Sequence, residues 1–324
     1  MTDAVPPVAC DMSEFASDQL NQTCFCITID QSELAQALDR ASGEVGFQAR
    51  IALNQPFLFS NVPVFLPAST LHAMQGIVAA IEQVAQIPAY KAAVLGWAPA
   101  IGQIDHGPQG ALMGYDFHLS DDSPKLIEVN TNAGGAFLNA LLAQAQTLCC
   151  VGRGPVAADS LVAGFEAAVI AMFRSEWQRQ RGAAPLRRIA IVDDAPQDQY
   201  LYPEFVLVQK MLVRHGIDAV ICDPQALTLG DGGLYFGDLP VDLVYNRLVD
   251  FTLSEPRHAV LHDAYQTGAV VVTPNPHNHA VLAHKHNLTL LSDPAALAAL
   301  GVPPALVTWL QSIPQTRLIA RRNC

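Results

Sequence analysis

The chain has 324 residues, of which 51% are hydrophobic and 15% charged, a balance that excludes a disordered chain and supports a sizeable core. That length suits two domains better than one. The net charge is −12, from 18 basic and 30 acidic residues, and no basic stripe is present of the kind that binding to DNA, RNA or an anionic membrane surface needs.

The first twenty residues carry Asp3, Asp11, Glu14 and Asp18 and lack a cationic start followed by an apolar run. No export leader is therefore predicted, and a cytoplasmic protein is expected. No apolar stretch is long enough to span a bilayer. The seven cysteines, Cys10, Cys24, Cys26, Cys149, Cys150, Cys222 and Cys324, fit neither a disulfide framework nor a zinc spacing. Buried reduced thiols are expected.

Residues 1–45 read as a loosely organised start with one helix over 31–42. Ser32 is its expected cap, and Leu34, Ala37, Leu38 and Ala41 recur at helical spacing. "PVFLPAST" predicts a strand, then a Ser69/Thr70 cap and a helix over 71–87 ended by Pro88. Strands are predicted at 114–119 and 125–130, joined by the turn residues "SDDSP". Residues 136–150 predict a buried helix and 159–181 a long amphipathic one. From there strands (187–194, 217–223, 241–247, 269–274) alternate with helices (202–216, 255–268), the pattern of a parallel α/β sheet. The fold class is α/β in two domains, 1–183 and 184–324, with the boundary near 180–187. No repeat or low-complexity tract occurs.

"KLIEVNTNAGG", residues 125–135, is the most informative stretch. At a period of two, Glu128 and Asn130 share one face, and Ile127 and Val129 the other. A turn over 120–124 sets Leu119 against Lys125, Phe117 against Ile127 and Tyr115 against Val129, and it sets Asp116 opposite Glu128. Like charges at opposed positions destabilise a strand pair. A divalent cation between them turns repulsion into attraction, and Asn130 adds a neutral oxygen. Mg2+ takes such ligands. The alternative is an exposed polar face with both acids in water. Gly134 and Gly135 precede a helix, where backbone N–H groups can approach an anion; a plain turn is the alternative.

The order D-F-H…K-L-I-E-V-N-T-N-A-G-G resembles the metal-binding hairpin of the circularly permuted ATP-grasp ligases, a family that includes the glutathionylspermidine synthetase C-terminal domain. The resemblance spans residues 45–295, and the hairpin is its specific part. It implies a permuted ATP-grasp-like metal-binding half followed by a Rossmann-like α/β domain. It implies that Asp116, Glu128 and Asn130 hold Mg2+ on the phosphates of ATP, and that Gly134 and Gly135 offer backbone donors. Asn275 and Pro276 would open the segment leading to the nucleotide, and Lys285 would touch a phosphate or the adenine. Arg247, at the end of "VDLVYNR", would bind the carboxylate substrate; otherwise, as a lone arginine, it would form a surface salt bridge. The implied activity is ATP-dependent joining of a small carboxylate to an amine through an acyl phosphate, and a homo-oligomer is compatible with it.

Two departures stand out. The family often has an Arg two residues before the hairpin Asp, where this chain has Gly114. The family also continues, beyond the position of "RLIARRNC", into a Lys-Pro strand and a Gly-rich loop. The chain is thus expected to stop before the rest of the nucleotide clamp, either as an active ligase or as one inactivated by truncation. The alternatives are a non-catalytic binding module or partner subunit, and a Mg2+-dependent phosphohydrolase using the same acids.

Other candidates carry less. His277, His279, His284 and His286 lack the cysteine or acid of a standard zinc pattern, so a solvated loop, or a turn with neutral imidazoles, is expected. Asp193 and Asp194 end a strand in a loop without G-x-G-x-x-G, which disfavours NAD. No G-x-S-x-G or Cys–His pairing supports acyl hydrolysis.

Overall fold

The computed structural model describes residues 28–60, 64–120, 123–147 and 158–319, together with residues 17, 21 and 22. The chain divides into two compact units, residues 1–67 with 135–169, and residues 68–134 with 170–324. The hairpin therefore shares a unit with the parallel sheet, a different division from the boundary near 180–187 expected from the sequence.

The larger unit begins with helices α1 (Ala68–Val84) and α2 (Pro88–Leu95). The helix expected to run to Pro88 stops at Val84, and Pro88 instead opens α2, where its missing N–H has no intrahelical partner to lose. Ser69 and Thr70 lie inside the first turn of α1 rather than capping it. The strand expected before them is absent over 64–67, where Val64 is exposed; an apolar run with no strand to pair with does not make a sheet.

The hairpin follows, β1 (Gly114–Ser120) and β2 (Ser123–Asn130). Asp116 stands opposite Glu128 and Tyr115 opposite Val129, but the register shifts between Asp116 and Phe117. Beyond the shift Phe117 faces Leu126, not Ile127, and Leu119 faces Pro124, not Lys125. Ile127 is the extra residue of a bulge. It is 51% exposed, whereas Leu126 and Val129 are 0% and 4% exposed. Ile127 and Val129 thus do not share a face. Leu126 and Val129 pack with Ile77, Ile81 and Val84 of α1 and with Tyr90 and Val94 of α2.

Helix α3 (Ala158–Arg181) leads to the sheet. The sheet comprises β3 (Arg188–Val192), β4 (Asp218–Cys222), β5 (Leu243–Asn246) and β6 (Val271–Thr273). Helices α4 (Tyr202–Arg214) and α5 (Ala259–Gln266) lie between them in sequence. The strand order is β6-β5-β3-β4 and every pairing is parallel. Ile189, Ala190, Ile191, Val192, Leu243 and Val244 are all fully buried, as a sheet covered on both faces requires. The chain leaves β3 toward β4 on one side and later returns as β5 on the other. A crevice at the carboxyl ends of β3 and β5 is the position where such sheets place ligands. A small antiparallel sheet, Leu227–Gly230, Gly233–Phe236 and Leu239–Val241, is inserted between β4 and β5. Cys222 is buried and unpaired, with its thiol pushed up to about 12 by burial. The other six cysteines lie outside the described residues.

In the smaller unit, the helix Gln31–Ser42 is capped by Asp30, whose carboxylate accepts from Glu33 N at 2.9 Å. Ser32, the expected cap, lies inside the first turn. Leu34, Leu38, Phe47 and Ile51 are buried, and Gln31–Ser42 packs on the helices Phe47–Asn54 and Ala136–Ala145. The last of these ends at Ala145 and passes into a short strand, Gln146–Thr147, paired with Thr28–Ile29. Among the described residues, no helix is long and apolar enough to cross a membrane.

Candidate functional site

The bulge at Ile127 lets Glu128 keep its place opposite Asp116 while Leu126 and Val129 both enter the core. Asn130, on the same face, donates from Nδ2 to Asp116 Oδ2 at 3.1 Å. Lys285 Nζ lies 3.4 Å from Glu128 Oε1. Glu128, Asn130 and Thr131 line one part of a cleft of about 290 Å³, and Phe251, His279, His284 and Lys285 line the rest. The four residues named for metal and phosphate on the hairpin and the later segment are therefore brought together. Two carboxylates and an amide oxygen suit a hard cation that draws its remaining ligands from water and phosphate. Among the described residues, no group of three or more His, Cys, Asp or Glu side chains forms a ready-made metal centre. The opposed acids each have a further partner, the Asn130 amide on Asp116 and the Lys285 ammonium on Glu128.

The departure at Gly114 has a steric reason. A Cβ there would lie 2.9 Å from the Ala133 Cβ, so no arginine fits without moving the loop after β2. Gly134 is just as confined. A Cβ on it would overlap Leu201 and come within 3.0 Å of Arg247 Nη2. Gly135 opens the helix Ala136–Ala145 in the smaller unit, with φ at 91°, a conformation that suits glycine.

Arg247 directly follows β5 and is only 7% exposed. Its Nη1 donates to the Ala133 carbonyl at 2.8 Å and to the Tyr245 hydroxyl at 3.3 Å. The guanidinium lies over the rings of Tyr245 and Phe205, 5.3 and 5.9 Å from their centres. It is thus a buried cation held by neutral oxygens and aromatic faces, not the partner of a surface salt bridge. Across the crevice, Asp193 directly follows β3 and is 9% exposed. Burial pushes its carboxyl up to about 6, against the Asp194 N–H bond and the Arg247 charge, which favour ionisation.

Sequence reasoning missed His258. It is fully buried, with Nδ1 2.8 Å from Asp250 Oδ2 and Nε2 2.9 Å from Asp194 Oδ1. Burial alone would favour the neutral ring, but carboxylates on both nitrogens reverse this and raise its pKa. Asp194 follows β3 and Asp250 follows β5, so the imidazole ties together the two loops that border the crevice. Arg257 supports it, 3.1 Å from Asp194 Oδ2. The only trace in the sequence was the pair Asp193–Asp194 at a strand end.

Asn275 does not line the cleft. It is buried, and its side chain is spent on accepting from Asn278 N at 2.9 Å and donating to the Val272 carbonyl at 3.2 Å. It supports the segment from beneath. The histidines beyond it do not form a solvated loop. His277 Nδ1 donates to the Gly102 carbonyl at 2.9 Å, and the side chain is buried. His279 lies flat on Phe251, and His286 on Trp97. Burial and the neighbouring His284 push His279 down to about 4, and burial and His286 lower His284. Both shifts favour the neutral ring.

No family model matches the chain, and no curated protein matches it in sequence. Among solved structures, a glutathione synthetase-like effector from Globodera pallida, in its apo form, aligns with a TM-score of 0.52 and 13% identity, over 88% of this chain and 71% of that one. At this identity the likeness is one of fold. The chain has a mixed α/β fold similar to that of a glutathione synthetase-like protein.

Proposed function

We propose that the chain is an ATP-grasp-like carboxylate–amine ligase that takes Mg2+ and ATP at the hairpin cleft and a small carboxylate at Arg247. The observation that carries this reading is the opposed pair Asp116 and Glu128, with Asn130 on their face and Lys285 across the same cleft. Asp116, Glu128 and Asn130 would hold the metal, which supplies charge neutralisation for the phosphoryl group in transfer. Lys285 exchanges its exposed contact with Glu128 for a phosphate oxygen. Arg247 is fixed through Nη1, so little ordering is needed for it to bind a carboxylate. The carboxylate oxygen attacks the γ-phosphorus and ADP leaves. The amine then attacks the acyl carbon, phosphate leaves, and the amine gives up a proton. We assign that proton to Asp193, whose carboxyl, shifted toward neutrality, suits a general base.

Calorimetric titration of ATP with and without Mg2+ tests the reading. Binding that needs Mg2+ and is lost in the double variant Asp116→Asn, Glu128→Gln is expected; the same binding in variant and wild type would overturn it. A screen of amino acids, peptides and polyamines then reads ADP release. ADP formed only with both a carboxylate and an amine supports the ligase. Phosphate released without an amine identifies a phosphohydrolase, and binding without turnover identifies a non-catalytic module.

A further inference from the structure

The cleft beside the hairpin contains a group that neither the metal acids nor Arg247 requires. His279 begins a single turn of π-helix, His279–Ala283, a rare conformation found frequently at functional sites. Its ring lies 4.1 Å from that of Phe251 at an interplanar angle of 4°, and both residues line the cleft. Its Nδ1 is buried and has no hydrogen-bond partner, although buried polar atoms in native proteins are nearly always paired. Lys285, Glu128 and Asn130 line the same cleft.

We infer that the Phe251–His279 pair seats the heterocyclic base of the nucleotide, and that His279 Nδ1 makes the hydrogen bond that orients the ring. The inference deepens the nucleotide reading and rests on it. Three features select a planar, nitrogen-bearing ring over other ligands. First, a flat aromatic pair recognises a flat partner by stacking, at an energy that tolerates many bases. Second, the ring of His279 is neutral, so it offers a hydrogen bond without a charge to attract phosphate or carboxylate. A purine edge carries both donors and acceptors, so it matches either tautomer. Third, the pair shares its cleft with Lys285, Glu128 and Asn130, the groups assigned to the phosphates and their metal. The base sits at the aromatic pair, and Lys285 and the hairpin are left to the phosphates.

The test separates base from phosphate. Adenosine, tripolyphosphate and ATP are each titrated into the full chain with Mg2+, using wild type, His279→Ala, Phe251→Leu and Lys285→Ala. His279→Ala and Phe251→Leu are expected to weaken adenosine and ATP by about tenfold or more and to leave tripolyphosphate unchanged. Lys285→Ala is expected to do the reverse, weakening tripolyphosphate and sparing adenosine. His279→Gln, which keeps a polar group, should recover part of the loss. In the wild type, adenosine should shift the imidazole nitrogen resonance of His279, a readout that does not depend on variant folding. If tripolyphosphate binds and adenosine does not, or if adenosine binds equally well to wild type, His279→Ala and Phe251→Leu, the base seat is overturned while a phosphate cleft stands. If none of the three ligands binds, the nucleotide reading fails and the inference with it.

Discussion

A carboxyl buried without an ion pair favours its neutral form, and Asp193 is such a group. Its folded pKa, about 6, lies above the ordinary carboxyl value. Between those values the native state holds a proton that the unfolded chain has released. Stability therefore falls as pH rises through that window, and the full cost is present above pH 6. Asp193→Asn keeps an oxygen to accept from Asp194 N and never ionises. It is expected to be more stable than the wild type at pH 7.5 by about 1–2 kcal/mol and no more stable at pH 4. Urea unfolding at the two pH values checks this; a variant destabilised at pH 7.5 would show that the charge of Asp193 is needed by Arg247 even without substrate. The metal candidates were legible at this scale because strand periodicity alone puts Glu128 and Asn130 on one face. His258 was not legible. Its partners are Asp250 and the distant Asp194, and no local pattern marks a side chain whose meaning comes from two loops meeting at a sheet edge.

The hairpin shows how an element can be read correctly in kind and wrongly in detail. Strict alternation sends Ile127 to the core, whereas the bulge sends Leu126 there and leaves Ile127 half exposed. Two substitutions separate these registers. Ile127→Thr is expected to change stability by no more than about 0.5 kcal/mol. Leu126→Ala is expected to cost about 2–4 kcal/mol, since it empties a fully buried site against α1 and α2. Thermal melts of the two variants decide the matter, and the opposite ranking would restore the unbulged strand. Other elements were misread for equally local reasons. Pro88 is as compatible with the first turn of a helix as with its end, and only the packed structure chooses. Asp30 takes the cap because its backbone is extended, at φ −70° and ψ 100°, which a sequence with Ser32 two residues later does not announce. The inserted antiparallel sheet consists of strands of three or four residues, too short for an alternating pattern to stand out. The four parallel strands were legible because each is centred on a continuous apolar run, fully buried in β5 and β6.

For the whole molecule, the change of style near residue 180 looked like a domain boundary, yet it is the join between a helix and a strand within one unit. Gly182, with φ at 62°, follows the end of α3, and α3 does not stand apart from what comes after it. Glu176 of α3 is 3% exposed and accepts from Gln109 N at 3.0 Å, Gly110 N at 2.8 Å and the Thr273 hydroxyl at 2.7 Å. One carboxylate thus joins the loop before the hairpin to the end of β6. That same loop accepts from Asn278 at the Pro108 carbonyl, 2.8 Å away, and Asn278 directly precedes His279. The chain of contacts runs from α3 through β6 to the segment that forms the far wall of the cleft. Glu176→Ala leaves three donors without their acceptor, and the one that is fully buried, the Thr273 hydroxyl, alone costs about 1–3 kcal/mol. The variant is expected to melt at a clearly lower temperature and to exchange its amide hydrogens at 109–110 faster. It is also expected to bind ATP more weakly, although Glu176 does not line the cleft. Glu176→Gln, which keeps an acceptor oxygen, should lose less in all three measurements. If the exchange at 109–110 rises while ATP binding holds, the wall that carries His279 and Lys285 is fixed by its own capping at Asn275, and the network through α3 serves stability alone.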